Sequence, residues 1–515
     1  MSSEQPGSDA ARPRPHPIFN WMSGVGAALV SVSLAAAVFF LLIGLFTHDG
    51  GSYSGLTMLP PLAAALVGTA LFVIGWLRET ARQRRGQHSS FYDSFVVDPF
   101  LLVRGVGPVV LLVALAAGTF ALLGAGAASV AVVGYTESNE FCTETCHTVM
   151  GPEAVAYQDT THARIECVKC HVGPGAEGYL AAKLGGLRQL YGVVTGEISR
   201  PIPTPIHGGP LSRELCESCH HAERDVAFRT LARRYFLADE EVTPVSLAMV
   251  LKVGSGTSGL LPDGGIHYHM QLERKVEYAA RDRQRQDIAW VRVTDTDGAV
   301  REFRNESDPI DEEELAGLEV RTMQCIDCHS RPAHRFTSPI DSVNALIGTG
   351  GLSRELPRIK EVAVRALDGE YESSDEAMTG IGSSLEEFYD EEYPELAEEK
   401  SAEIAAAAES LRAVYGRTIF PEMKADWRAH PDNSGHRDSP GCFRCHNDEM
   451  VDDEGEAVFS DCMRCHAILA QDDASIRTIE DFTMGRDFVH PEDFETVEEY
   501  TACADCHDGG AALYE

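Results

Sequence analysis

The 515-residue chain is short of basic residues: it has 43 Lys and Arg against 79 Asp and Glu, a formal net charge of −36. This shortage argues against nucleic acid as a partner, because a protein that binds phosphates needs a basic surface. Cysteine is absent from residues 1–135, and all 14 cysteines lie in residues 136–515. The first part has seven Arg and six acidic residues, so the second part, with 36 basic and 73 acidic residues, carries the negative charge. The chain therefore has two chemically different parts.

Charged residues are also missing from three long apolar stretches of the first part. Residues 23–46, 55–77 and 106–134 contain 24, 23 and 29 residues without a charge. As helices at about 1.5 Å per residue, even the shortest reaches about 35 Å, which exceeds a hydrocarbon core of about 30 Å. The stretches therefore predict a membrane domain, residues 1–135, with three transmembrane helices. A cleaved signal peptide is the alternative for the first stretch, and it would leave the location of the second part unchanged.

The loops between these stretches predict the orientation. Residues 78–85 hold four Arg and one Glu, whereas residues 47–54 hold one Asp and no Lys or Arg. By the positive-inside rule, the Arg-rich loop and the N-terminus lie in the cytoplasm. Three crossings of a bacterial inner membrane then place the second part on the periplasmic side.

The cysteines fall into seven motifs, each followed directly by a histidine. Six read Cys-x-x-Cys-His, and the first has one more residue between its cysteines. The pairs are Cys142 and Cys146, Cys167 and Cys170, Cys216 and Cys219, Cys325 and Cys328, Cys442 and Cys445, Cys462 and Cys465, and Cys503 and Cys506. The histidines are His147, His171, His220, His329, His446, His466 and His507. Two thiols can form thioethers to haem vinyl groups while the adjacent His binds the iron.

Disulfides and zinc sites are the alternatives for these cysteines. Neither explains why a histidine follows every second cysteine. The sequence therefore predicts seven covalently attached haem c groups, which consume all 14 cysteines and leave none for a disulfide.

The sixth iron ligand decides between electron relay and catalysis, because an iron with two protein ligands has no open position. Outside the motifs and the membrane part, nine histidines are candidates: His162, His207, His221, His267, His269, His334, His430, His436 and His490. Nine candidates cover seven vacancies, so the sequence requires no open haem. Met150 is a further candidate whose thioether would raise the haem potential, with packing against the haem as the alternative.

The regions without cysteine predict a few regular elements. Residues 288–293 and 299–303 flank the turn signal Asp297-Gly298 and predict a small β-hairpin, with an irregular loop as the alternative. Residues 356–367 and 402–415 have helical periodicity.

Residues 386–399 contain eight acids in 14 residues. This run is either a solvated helix face or a docking patch for a basic cytochrome. The second part thus divides into a four-haem domain over residues 136–335, an acidic helical segment over residues 336–430, and a three-haem domain over residues 431–515.

Several of these pieces together resemble a known family. They are the run from Cys142 to His171, with Cys-His-Thr-Val-Met, Thr161-His162 and Cys-His-Val-Gly-Pro-Gly, and the later motifs at Cys216 and Cys325, with His334 after the second. They resemble the tetrahaem NapC/NirT family of membrane-anchored quinol dehydrogenases. With three transmembrane helices and seven haems, nearly the whole chain resembles heptahaem inner-membrane quinol dehydrogenases of the ImcH type.

The predicted fold is therefore mostly α: three transmembrane helices, then a periplasmic multihaem c domain with little regular structure and a small β-hairpin. The resemblance adds expectations about particular residues. It implies that His162 and His334 are sixth ligands of haems bound by other motifs. It also implies a quinol site beside the first haem that includes Lys183. Gln189 stands where the family has an acidic residue, and Met150 follows His147 by three residues where the family has two.

The implied function is oxidation of quinol from the membrane pool and transfer of its electrons to periplasmic c-type cytochromes, towards extracellular acceptors. Three alternatives use the same motifs. They are the reverse flow that reduces quinone, a terminal reductase with an open haem, and an electron-transfer subunit of a larger membrane complex.

Overall fold

A computed structural model describes most of the chain. The described residues are 17–18, 20–46, 59–86, 106–145, 147–172, 175–204, 212–220, 227–254, 265–271, 274–459, 461–472, 485–490 and 503–514. They form two compact units, one from residues 1–142 and 172–184 and the other from residues 143–171 and 185–515.

The first unit contains three long apolar helices: α1 (Trp21–Phe46), α2 (Leu59–Arg84) and α3 (Val106–Glu137). Each contains a segment long and apolar enough to cross a membrane. The three predicted transmembrane helices are confirmed.

Helices α1 and α2 approach each other closely through small residues. A Cβ atom on Gly26 would lie 2.5 Å from the carbonyl oxygen of Gly68, so no larger residue fits there. The Ser23 hydroxyl donates a hydrogen bond of 3.1 Å to the carbonyl oxygen of Phe72 on the facing helix. Close packing of small residues and hydrogen bonds between helices are the usual means of association in lipid.

The helices that follow are mostly short. They are α4 (His147–Gln158), α5 (Cys167–His171), α6 (Gly175–Thr195), α7 (Arg213–Glu217), α8 (Glu312–Gly317), α9 (Cys325–Cys328), α10 (Pro339–Thr349), α11 (Ile359–Leu367), α12 (Ser374–Glu392), α13 (Pro394–Glu399), α14 (Ser401–Thr418) and α15 (Cys503–Cys506). The division between the units falls within α6.

Two antiparallel sheets lie in the second unit. Their strands are β1 (Phe228–Phe236), β2 (Pro244–Lys252), β3 (Lys275–Ala280), β4 (Ile288–Thr294), β5 (Val300–Asn305), β6 (Arg321–Thr322), β7 (Met450–Asp452) and β8 (His466–Gln471). The strand orders are β1-β2-β8 and β6-β3-β4-β5-β7. The predicted hairpin is confirmed as β4 and β5, with Gly298 at φ +84° in the turn.

Both sheets join distant parts of the chain. Strand β8 pairs with β2, and β7 pairs with β5. Two strands that follow the fourth motif therefore belong to sheets whose other strands precede that motif. The domain boundaries at residues 335 and 430 stay predictions, and these strand pairs cross both of them.

The largest apolar core lies among helices α10 to α14. Leu356, Ile359, Leu385 and Leu411 are fully buried in it. The acidic residues of the run 386–399 lie on the outer side of α12 and α13 and are all exposed. The predicted helices 356–367 and 402–415 are confirmed as α11 and α14.

Candidate haem-binding sites

The cysteine motifs lie on short helical turns. Four of these turns are α5, α7, α9 and α15, and the others are 3₁₀ turns at Gly441–Arg444 and Cys462–Arg464 and a π turn at Phe141–Thr145. In a helical turn, residues three apart lie on the same face. In the six motifs whose cysteines are three apart, such a turn can present both thiols to one ligand and place the next residue, the histidine, beside them.

Six motif histidines each face a second histidine across a narrow gap. The pairs and their ring-centroid distances are His171 and His334 at 6.1 Å, His220 and His162 at 6.1 Å, His329 and His267 at 6.4 Å, His446 and His269 at 5.9 Å, His466 and His436 at 6.1 Å, and His507 and His490 at 6.2 Å. In every pair one histidine follows a Cys-x-x-Cys motif and the other does not.

This spacing fits one metal ion held between two rings. Histidine–metal bonds are about 2 Å long and the ring nitrogen lies about 1 Å from the centroid, which predicts centroids about 6 Å apart. In the part of the chain that the structure describes, no group of three or more His, Cys, Asp or Glu side chains is placed to hold a metal ion. Two histidines alone do not complete a metal site, so the pairs fit a metal whose other ligands come from a macrocycle, as in haem.

Backbone carbonyl groups orient several of these rings. The Nδ1 atoms of His162, His334 and His269 lie 3.0 Å from the carbonyl oxygens of Pro332, Glu153 and Ile266, and Nδ1 of His446 lies 2.7 Å from that of Phe459. When Nδ1 carries the proton and donates it to a carbonyl, Nε2 is left as the metal-binding nitrogen.

Burial favours the neutral form of many of these rings. It lowers the pKa of His171, His334, His269, His436, His466 and His507, and it lowers that of His446 to about 4. Neutral imidazole is the form that binds metals, since protonation would occupy the coordinating nitrogen. The donor set and its protonation therefore both fit haem iron.

A buried ion pair supports the ring of His334. The Arg331 guanidinium donates to the Glu153 carboxylate at 2.8 Å, and both side chains are buried. Glu153 also accepts the His334 hydrogen bond through its backbone carbonyl. The sequence does not predict the Arg331–Glu153 ion pair, because no motif or periodicity connects α4 with the segment after the fourth motif.

The third to sixth motifs are neighbours in space. The thiols of Cys216 and Cys325 lie close enough to shift each other's pKa, so the third and fourth motifs are adjacent. Burial raises the pKa of Cys328 to about 12, and the nearby fifth-motif thiol of Cys442 acts in the same direction. Burial likewise raises the pKa of Cys465 to about 11, again with a contribution from Cys442. Since such electrostatic effects fall with distance, the fourth, fifth and sixth motifs lie close together.

Some predicted site residues lie outside these pairs. His147 begins α4, Met150 lies half-buried in the same helix, Lys183 lies in α6, and Gln189 is exposed on α6. Cys146, His207 and His221 lie outside the described residues.

His430 is buried but does not face a motif histidine among the described residues. Its Nδ1 lies 3.1 Å from the Thr204 hydroxyl, and its ring packs on Phe336 with centroids 5.5 Å apart. Burial lowers its pKa to about 4. His430 stays a predicted iron ligand, with no facing motif histidine among the described residues.

Comparison with known proteins agrees with this arrangement. The NapC/NirT cytochrome c family, N-terminal region, matches residues 106–202. The chain is therefore a membrane-anchored multihaem c-type cytochrome of the NapC/NirT class, which binds haem c covalently and transfers electrons. It belongs to the family of the cytochrome c-type protein ImcH of Geobacter sulfurreducens, to which it is 36% identical over 495 residues, 95% of either chain. No solved structure matches it.

Proposed function

We propose that this protein oxidises quinol at the membrane and relays the electrons through seven haem c groups to periplasmic electron carriers. The observation that carries the relay is the set of six facing histidine pairs. At these six positions, two histidines would hold the iron of a bound haem, which would leave no open position for a small oxyanion. This favours a relay over a terminal reductase.

The proposed ligand assignment follows the ring pairs. For motifs two to seven, the motif histidine and its facing histidine would together hold the iron of the haem bound by that motif. The facing histidines are, in order, His334, His162, His267, His269, His436 and His490. Each haem c, when bound, accepts and donates one electron at a time. The protein positions the rings, excludes water and, by placing the third to sixth motifs side by side, gives a path between those four sites in chain order.

The position of the quinol site is proposed from the membrane helices and from the family. The first motif begins at Cys142, directly after α3 ends at Glu137. Quinol is soluble in lipid and releases two protons with its electrons, so its site needs a polar side chain that handles protons. Lys183 is the residue that the family implies, and Gln189 is the residue in the place of the expected acid.

The basic loop after α2 and the three crossings support a periplasmic haem domain. The acidic face of α12 and α13 supports docking of basic periplasmic cytochromes. The direction from quinol to carrier is proposed from the family alone.

The test of quinol oxidation is reduction of the purified protein in lipid by a quinol analogue, followed through the haem absorbance. We expect Lys183→Ala to slow this reduction at least tenfold and to leave reduction by dithionite unchanged. Arg188→Ala, which removes a positive charge from the same helix, is the control and should reduce at the native rate. Absence of quinol-driven reduction in the native protein would reject the function, and a native rate for Lys183→Ala would reject the lysine.

A further inference from the structure

One short turn carries two of the histidines that face motifs. Ile266–Met270 forms a 3₁₀ turn in which His267 and His269 are separated by Tyr268. The turn is fixed by hydrogen bonds from the Tyr268 amide to the Gly265 carbonyl (2.8 Å) and from the His267 amide to the Val253 carbonyl (3.3 Å). With three residues per turn, side chains two positions apart point about 120° apart. The two rings therefore leave the turn in different directions.

These two rings face histidines of different motifs. His267 lies opposite His329 of the fourth motif, and His269 lies opposite His446 of the fifth. The fourth and fifth motifs are separated by more than 100 residues that contain no cysteine. A single turn thus reaches across the longest interval between motifs.

The two motif loops also touch directly. Arg444, between the cysteines of the fifth motif, donates a hydrogen bond of 2.8 Å to the carbonyl oxygen of Asp327, between the cysteines of the fourth. The same guanidinium donates at 2.7 Å to the carbonyl oxygen of Arg285. Arg285 in turn forms a buried ion pair with the Asp327 carboxylate. The fourth and fifth sites are therefore adjacent on their cysteine side as well as on their distal side.

We propose that the turn Ile266–Met270 supplies the sixth ligands of two haems, His267 to the fourth and His269 to the fifth, and so ties the two groups of motifs into one relay. This inference rests on the ligand pairs of the proposed function, but it is independent of quinol and of the direction of electron flow. At about 2 Å rise per residue, the two ligand positions are about 4 Å apart along the turn. A spacer this short holds the two sites in a fixed relation.

The test removes each ring in the purified full-length protein. His267→Ala and His269→Ala should each convert one haem from low to high spin and create one carbon monoxide site per chain after reduction by dithionite. The double variant should give two such haems. The total haem content should stay at the native value, since all cysteines are kept. Tyr268→Phe, in the same turn, is the control and should remain low-spin.

Two methionine variants keep the proposal testable if the alanine variants fail to fold, and two glycine insertions test the spacing. His267→Met and His269→Met keep a sixth ligand and should each move one component of the redox titration to higher potential. A glycine inserted after Tyr268 should produce at least one high-spin haem, whereas a glycine inserted after Gly298 in the hairpin turn should produce none.

Native spin state in either alanine variant, or one high-spin haem in the double variant, would overturn the proposal. So would a native titration in either methionine variant, or low-spin haems throughout in the protein with the insertion after Tyr268. Because dithionite reduces the haems without quinol, a native protein that fails with quinol but passes these tests counts against the quinol dehydrogenase and not against the turn.

Discussion

At the scale of a single residue, the buried carboxylate of Asp327 holds the fourth motif in place. It accepts hydrogen bonds of 2.7 Å from the Gln324 amide and from the Tyr278 hydroxyl, and it pairs with Arg285. Asp327 lies between the two cysteines of its motif, so these contacts connect the turn α9 to β3 and to the loop after it. The residue between two cysteines therefore has a structural role that the motif itself does not specify.

Removing this charge should destabilise the protein. Asp327→Asn leaves the Arg285 guanidinium buried without its counterion, which costs about 3–5 kcal/mol when a buried pair loses one partner. We expect the thermal unfolding midpoint to fall by several degrees, measured by circular dichroism on the holoprotein.

The control is Asp297→Asn in the exposed turn between β4 and β5. It removes the same charge, and its side-chain oxygen can still accept the Ala299 amide hydrogen bond. Its midpoint should stay within about a degree of native, and equal shifts in the two variants would contradict the role of Asp327.

At the scale of elements, close packing of α1 on α2 depends on particular glycines. A Cβ atom at Gly26 would lie 2.5 Å from backbone atoms of Gly68 and Phe72, whereas a Cβ atom at Gly24 would meet nothing within 4 Å. The two glycines lie in the same helix, so they have the same intrinsic helix propensity. Their difference isolates the contact between the helices.

Gly26→Ala should therefore separate the two helices, with a cost of about 1–3 kcal/mol, as for other overpacked sites. Thermal unfolding in lipid nanodiscs should begin at a lower temperature for this variant. Gly24→Ala should unfold like the native protein or later, because alanine favours helix over glycine. If both variants unfold like the native protein, the α1–α2 contact does not limit stability.

Elements with a local pattern could be predicted from the sequence. The three membrane helices have uninterrupted apolar runs, the turn between β4 and β5 has Asp297-Gly298, and α14 has helical periodicity. Strand β1 has no such pattern, since Arg229, Arg233 and Arg234 interrupt it, and its sheet forms through pairing with β2. Tertiary pairing, rather than local propensity, determines that element.

The same limit applies to the haem sites. The cysteine motifs predict one ligand of each proposed haem, because those residues are contiguous. The facing histidines come from distant segments, as in His171 with His334 and His446 with His269, so spacing along the chain does not reveal the partner. Two histidines separated by one residue, His267 and His269, were the available signal that a single segment reaches two sites.

At the scale of the whole molecule, the net charge of −36 belongs to the part that follows the membrane helices. All eight acids between residues 386 and 399 are exposed on α12 and α13, while Leu385, Tyr389 and Ala397 of these helices are buried. The helices thus fold on their apolar side and leave a face of one sign to solvent. Such a face attracts a basic partner over distances comparable with the Debye length.

Electron transfer to a basic soluble cytochrome c should therefore depend on salt. Reduced protein, freed of dithionite, is mixed with the oxidised cytochrome. We expect the second-order rate to fall several-fold between about 0.01 and 0.15 M ionic strength, because the Debye length shrinks from about 30 to about 8 Å.

The triple variant Glu387→Gln, Asp390→Asn, Glu391→Gln should lower the rate at low salt and flatten this salt dependence. The control triple Asp453→Asn, Glu454→Gln, Glu456→Gln removes the same charge from the exposed turn after β7. This control should keep most of the native salt dependence. A flat native rate would exclude electrostatic docking, and equal losses in the two triples would assign the attraction to the net charge rather than to the face of α12 and α13.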